Sequence, residues 1–183
     1  MRSLSCGLIL ATLLAAPRPI HADDFKLEPG FTLLFNGKDL SGWKEKSGGA
    51  SLDGKTEAYK GRFKVSDGVV VIDPKVRGDV RIETTKKFAG DVHIKFDFKP
   101  DAKCNNDLFL RGTKYDIVKG AIKNFKEGEW HQFEIILKGN KAEYRCNGMP
   151  VGTRNAKAGA TPFEVRAEFG AIELRHVRYK ESE

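Results

Sequence analysis

The 183-residue chain holds only three cysteines, four histidines, two methionines and two tryptophans. Cys6 lies near the N-terminus. Cys104 and Cys146 are too few for a disulfide scaffold, and their spacing fits no zinc motif. There is no phosphate-cradling glycine loop, no G-x-S-x-G elbow, no H-E-x-x-H pair and no EF-hand loop. These absences remove the corresponding nucleotide, serine-nucleophile, zinc-protease and calcium-loop classes. The lysines are scattered, without a long basic run or a nucleic-acid motif, so the excess of positive charge reads as a solvated surface and no nucleic-acid partner is expected. Beyond the N-terminal segment no stretch sustains a 3.6-residue apolar period, so helices are not expected either.

One apolar run stands out, Leu8–Ala16, and it is too short to span a bilayer. Arg2 precedes it, and Ile20-His21-Ala22 ends in a small residue before Asp23. Residues 1–22 therefore read as a signal peptide, with a membrane anchor as the other reading. Cleavage would leave 23–183 as one exported domain, periplasmic or extracellular, with no transmembrane span in the mature chain. Losing Arg2 and Arg18 lowers the net charge from +7 to +5, with 30 basic residues against 25 acidic ones. About 160 residues suffice for one sizeable core.

What the chain does have is short strand signals separated by turns. Phe25–Trp43 carries an apolar strand, an Asn36-Gly37 turn and Trp43, which reads as a core anchor. Lys44–Arg62 lacks periodicity and reads as a loop. Phe63–Val65 and Val69–Ile72 flank an Asp67-Gly68 turn, followed by strand signals at Val80–Thr85 and Val92–Phe98. Phe133, Ile135 and Leu137 alternate, then Ala142, Tyr144 and Cys146, each run ending in a Gly/Asn turn. Phe163, Val165, Ala167 and Phe169 form another run on one parity. In the last strand the apolar parity switches from Ile172 and Leu174 to Val177 and Tyr179, which predicts a bulge near Arg175–His176. Ten or more such strands make an all-β sandwich or jelly roll. His93 alternates with core residues and is expected to face solvent. Cys104 and Cys146 each border a strand and are expected close enough to bond, two free buried thiols being the alternative.

The stretch Cys104–Gly120 is the richest in chemistry. Leu108 and Leu110 share one parity; Asp107, Phe109 and Arg111 share the other. Together with the run after Gly112-Thr113 it offers an amide (Asn105), a guanidinium (Arg111), a phenol (Tyr115) and a carboxylate (Asp116). A solvated sheet face would look the same.

Several of these segments resemble one family in order along the chain. G-F-T-L-L-F-N-G-K-D-L-S-G-W at Gly30–Trp43 is similar to the opening signature of the 3-keto-disaccharide hydrolase domain family. R-F-K-V-S-D-G-V-V at Arg62–Val70, N-N-D-L-F-L-R-G at Asn105–Gly112, K-Y-D-I-V at Lys114–Val118, G-A-I at Gly120–Ile122, G-E-W at Gly128–Trp130, C-N-G at Cys146–Gly148 and R-H-V at Arg175–Val177 follow in step. The resemblance implies a concanavalin-A-like two-sheet β-sandwich, a carbohydrate or keto-sugar partner bound on a concave sheet, and cleavage of 3-keto-glycosides. A C3 ketone acidifies the C2 proton; a base removes it, the C1 aglycone leaves, and water adds back. A cation or a divalent metal near the C3 oxygen would stabilise the developing charge, and the resemblance leaves open which one. On this basis Asp116, His131 and Glu168 are the candidate bases, and Asn105, Arg111, Tyr115 and Arg175 the candidate sugar contacts on one face. Arg111 could instead be a structural partner of Asp116. The chain departs from the family pattern at Asn105-Asn106-Asp107, Val118, Lys123, His131, Arg166 and Glu168, and its Gly120–Trp130 segment is short. These departures keep a second expectation open, a non-catalytic carbohydrate-binding or structural envelope module on the same fold.

Overall fold

A computed structural model describes residues 25–182; the expected signal peptide lies outside the described residues. Fourteen strands and no helix form among them. The first seven are β1 (Thr32–Leu33), β2 (Trp43–Glu45), β3 (Glu57–Ala58), β4 (Phe63–Ser66), β5 (Val69–Ile72), β6 (Val80–Phe88) and β7 (Val92–Pro100). The rest are β8 (Asn105–Leu110), β9 (Thr113–Val118), β10 (His131–Lys138), β11 (Lys141–Cys146), β12 (Met149–Asn155), β13 (Thr161–Phe169) and β14 (Ile172–Glu181). Pairing is antiparallel throughout and makes two sheets. One has nine strands, in the order β12-β11-β10-β7-β14-β5-β4-β3 with β1 beside β14; the other has five, β2-β6-β13-β8-β9. This is the all-β sandwich that the alternation implied, in the concanavalin-A-like form that the family resemblance implied.

Each sheet buries one parity against the other sheet. Phe96 and Phe133 of the large sheet meet Phe163 and Tyr115 of the small one; the Tyr115 ring lies 5.1 Å from Phe133 and 4.5 Å from Tyr144. Trp43 is the expected anchor, 3% exposed, with its indole N–H donating to the Leu34 carbonyl at 2.6 Å. An apolar void of about 10 Å³ beside it, lined by Trp43, Phe96, Phe163 and other core side chains, is no larger than one water and offers no chemistry.

Tight turns set the register. Asp67-Gly68 and Asn147-Gly148 both take positive φ, 51° and 79° and then 50° and 77°, as a two-residue hairpin with a primed turn requires. Arg111 and Gly112 do the same between β8 and β9, at 50° and 73°. The predicted bulge in β14 is present: its register shifts between Arg175 and Arg178, and His176 has φ 53°. It divides the strand, so that Ile172–Leu174 pair with β5 and Arg178–Tyr179 pair with β1.

Three expectations are corrected. The Lys44–Arg62 stretch is not a free loop, because Leu52 is 1% exposed in the core and Lys44 bridges to Ser51. Cys104 and Cys146 are free buried thiols. Burial pushes them up to about 11 and about 12 respectively. Finally, Phe169 leaves the core parity of Phe163, Val165 and Ala167. The β13 register against β8 slips between Arg166 and Phe169, and the extra residue turns Phe169 out, 61% exposed.

Candidate functional site

The seven residues singled out from the sequence do not converge. Asn105, Asp116 and Glu168 stand on the outer face of the five-stranded sheet, since the intervening parities (Leu108, Tyr115, Ile117, Val165, Ala167) are buried. Tyr115 points the other way, into the core, and donates its phenol to the Ala121 carbonyl at 3.2 Å. Arg111 is in the turn rather than on the sheet face. Its guanidinium is buried among loop carbonyls, with Nε on Lys157 O and Nη1 on Ala89 O, both at 2.6 Å, and Nη2 on Gly139 O at 3.4 Å. His131 faces inward at the sandwich rim, 3% exposed. It accepts the Asn147 side-chain amide at Nδ1 and donates from Nε2 to Lys126 O at 2.9 Å, with Phe98 and Phe125 against its ring. Arg175 is on the far side of the molecule. Its neighbour Leu174 is in the core, while Arg175 itself pairs with Asp97 at 3.4 Å and lies 3.9 Å above the Trp130 ring. Arg111 and Asp116 therefore share neither a face nor a salt bridge.

What the structure assembles instead is centred on Arg166, on the outward parity of β13. Its Nε and Nη2 clamp both Asp79 oxygens at 2.6 and 2.5 Å, Nη1 meets Asp107 at 2.6 Å, and Nη2 lies 3.1 Å from Glu168. Three carboxylates around one guanidinium hold its proton more firmly than usual. Hydrogen bonding from Arg166 in turn keeps Asp79 below the usual carboxylate range. Asp107 lies directly opposite Asp116 across β8 and β9, is fully buried, and leaves Oδ1 without a hydrogen-bond partner. Burial raises its pKa, Arg166 opposes that, and the Asp116 carboxylate adds to it. For Asp116 burial also acts upward and is the largest single effect, but hydrogen bonds with Lys114, at 2.6 Å, and Asp107, with the charges of Lys114 and Arg154, together turn the net shift down. Along the same face Lys46 bridges Glu83 and Glu164, and Arg81 stacks 4.1 Å above Phe109.

Next to this hub is an open cleft of about 360 Å³, within the range of small-ligand sites, lined by Arg62, Pro74, Val76, Arg77, Gly78, Asp79, Glu168, Phe169 and Gly170. Local chemistry explains its walls. Asn106 bonds the backbone N–H of Glu168 and the carbonyl of Phe169, fixing the β13 bulge. Gly170 has φ +67°, and a Cβ there would lie 2.3 Å from the Lys103 carbonyl carbon. Arg62, 2% exposed, donates to Asp73 O at 2.6 Å and Glu168 O at 3.0 Å, tying the loop to the strand end. The cleft combines carboxylates, guanidinia and one exposed aromatic ring, the groups that hold sugar hydroxyls and ring faces. Of the sequence candidates only Glu168 lines it. Arg62 was in the quoted R-F-K-V-S-D-G-V-V stretch but carried no role there. Arg77 and Asp79 lie in a Pro/Gly-bearing loop that no periodicity marks. Among the described residues no group of three His, Cys, Asp or Glu is arranged to hold a metal, and Arg166 fills the space between the three carboxylates.

An all-β jelly roll with a polar cleft at a sheet end defines the class, the concanavalin-A-like sandwiches. Residues 30–121 match the 3-keto-alpha-glucoside-1,2-lyase-like domain, and the chain belongs to that family. The matched span holds Arg62, Arg77, Asp79, Asp107, Arg111, Tyr115 and Asp116 and ends before His131, Arg166, Glu168 and Phe169. Among solved structures, the chain is similar to a Parabacteroides distasonis protein provisionally named a glycosyl hydrolase, with TM-score 0.69 and 18% identity over 84% of this chain and 94% of that one. A β-glucanase of Bacillus licheniformis gives TM-score 0.55 at 10% identity, covering 83% and 97%. A carbohydrate-binding module from Bacillus subtilis gives 0.52 at 11%, covering 78% and 96%. No curated protein matches the chain in sequence.

Proposed function

We propose that the protein is an exported carbohydrate-active enzyme that cleaves 3-keto-glycosides in the cleft beside Arg166. The observation that carries the reading is the convergence, in a cleft of sugar size, of the Glu168 carboxylate, the Arg62 and Arg77 guanidinia and the exposed Phe169 ring. Membership of the 3-keto-alpha-glucoside-1,2-lyase-like family supplies the substrate class. In this reading the pyranose stacks on Phe169. Glu168 takes the C2 proton, and the electron pair moves into the C2–C3 bond as the C3 oxygen becomes an enolate. A guanidinium of the cleft neutralises that oxygen. Collapse of the enolate restores the C3 carbonyl, forms the C1–C2 double bond and expels the aglycone oxygen with its bonding pair. The proton on Glu168 goes to the departing oxygen, and water then adds across C1–C2. Export rests on the leader at residues 1–22. N-terminal sequencing of the secreted protein should begin near Asp23, and a retained Met1 would refute export.

One observation favours a second reading. Glu168 is 3.1 Å from Arg166, and a carboxylate engaged by a guanidinium is less free to turn toward a sugar proton. A non-catalytic sugar-binding module would tolerate that pairing. Incubation with a panel of 3-keto-glucosides separates the two. The enzyme reading expects aglycone release that falls at least about a hundredfold in Glu168→Gln, the range for a lost general base, and weaker substrate binding in Phe169→Ala. Binding without turnover in the wild type would establish the module instead.

A further inference from the structure

The ion pairing within the cleft is lopsided. Its two carboxylates, Asp79 and Glu168, are both engaged by Arg166. Its two guanidinia, Arg62 and Arg77, have no carboxylate within ion-pair distance among the described residues. Arg62 is 2% exposed, its Nε has no hydrogen-bond partner, and its two bonds go to neutral carbonyls. Asp73 and Asp79 act on it only through space, and burial still makes its proton easier to lose. A guanidinium taken out of water without a counter-ion carries a desolvation penalty that carbonyl dipoles offset only in part. Arg77 is exposed and lines the same cleft, so both cations border one space. One guanidinium is enough for the single charge of a transient enolate; the second is left for a permanent anion.

We propose that the cleft takes a sugar bearing an acidic group, with Arg77 contacting that group and Arg62 supplying its charge from the floor. The inference rests on the cleft of the proposed function being the ligand site, and it names the substrate class as acidic glycosides. A uronate carboxylate and a sulfate ester present the same chemistry, a compact anion with several acceptor oxygens suited to a guanidinium fork.

Calorimetric titration of the purified protein with methyl glucuronide, methyl glucoside and methyl glucoside 6-sulfate tests it. The acidic sugars should bind at least about tenfold tighter than the neutral one at low salt, as one partly desolvated charge pair gives. The advantage should shrink near 1 M salt, where screening acts within about 3 Å, and should vanish in Arg77→Gln. Whichever of the two acidic sugars binds tighter identifies the source of the anion. Equal affinity for acidic and neutral sugars overturns the proposal, and so does a preference that survives Arg77→Gln. Turnover of neutral 3-keto-glucosides without any acid preference would refute this inference and leave the hydrolytic reading standing. Acid preference without turnover of neutral or acidic 3-keto-glycosides would do the reverse.

Discussion

Replacing Arg111 with Met separates a structural role from a sugar-binding one. The guanidinium closes one end of the sandwich by gathering carbonyls from three segments, Ala89–Gly90, Gly139 and Lys157. Two of these contacts are short, 2.6 Å, and the other two are long, 3.4 and 3.5 Å. Hydrogen bonds from a charged donor contribute about 1.5–3 kcal/mol each, and the long pair adds little. Met keeps the apolar stem and spares the desolvation of the charge, which offsets part of the loss, but it strands buried carbonyls. The net cost is about 3–4 kcal/mol. In a domain of this size that lowers Tm by roughly 6–16 °C. It should also move the urea midpoint without changing the slope, because the surface exposed on unfolding is the same. Fluorescence of buried Trp43 reports the transition. Sugar affinity of the folded protein should be unchanged. An unshifted midpoint together with lost sugar binding would refute the structural assignment and return Arg111 to the site.

Gly170→Ala should destabilise by about 3 kcal/mol or more, since a Cβ meets the backbone of Lys103 at 2.3 Å on a residue at φ +67°; thermal melting checks it, with Gly90→Ala, where nothing lies within 4 Å, as the neutral control. Glu28 is held down to about 2 by hydrogen bonds from Arg178, then Lys95. Its stabilisation is therefore full above its unfolded value of 4.5 and is lost as pH falls toward about 2. With 35% of its side chain exposed, solvent screening reduces the contribution to about 1–2 kcal/mol. The Tm gap between wild type and Glu28→Gln should close on acidification, and a gap constant from pH 7 to about 2 would contradict that linkage. Cys104 and Cys146 should resist alkylation in the native state and both react in denaturant without prior reduction. Mass spectrometry showing a pair two hydrogens lighter would contradict the free thiols.

The fold was legible because it is written in period two. The alternation Val92–Phe98 and Phe133–Leu137, the Asp-Gly and Asn-Gly turns and the parity switch in β14 each state a backbone preference directly. The site was not legible, for local reasons. Arg111 fell on the outward parity of β8 by counting, but counting does not show that Arg-Gly can make a primed turn and swing the side chain off the sheet. Tyr115 has a polar tip on a large apolar body, and its core parity with Ile117 outweighed the phenol. His131 shares the parity of Phe133 and Ile135, which sends it inward. Phe169 was assigned to the core by the same counting that worked for Phe163 and Val165, until a one-residue bulge reversed it.

These misses share a cause that decides where function should be sought. Several residues of the motifs quoted for the family are builders of the sandwich: Trp43 in the core, Asp67-Gly68 and Arg111-Gly112 in turns, Tyr115 between the sheets. Turns and cores constrain residue type through backbone geometry and packing, so they leave a strong trace in sequence whatever the protein binds. The groups facing the cleft are on the 73–79 loop and on the bulged end of β13, where the backbone accepts many residues and the side chains answer to a ligand. Arg77 and Phe169, which hold no ion pair of the Arg166 hub, can change without disturbing the jelly roll, whereas Arg62, Asn106 and Gly170 beneath them cannot. Substitutions at the first group should alter sugar preference at constant stability, and substitutions at the second should lower both together.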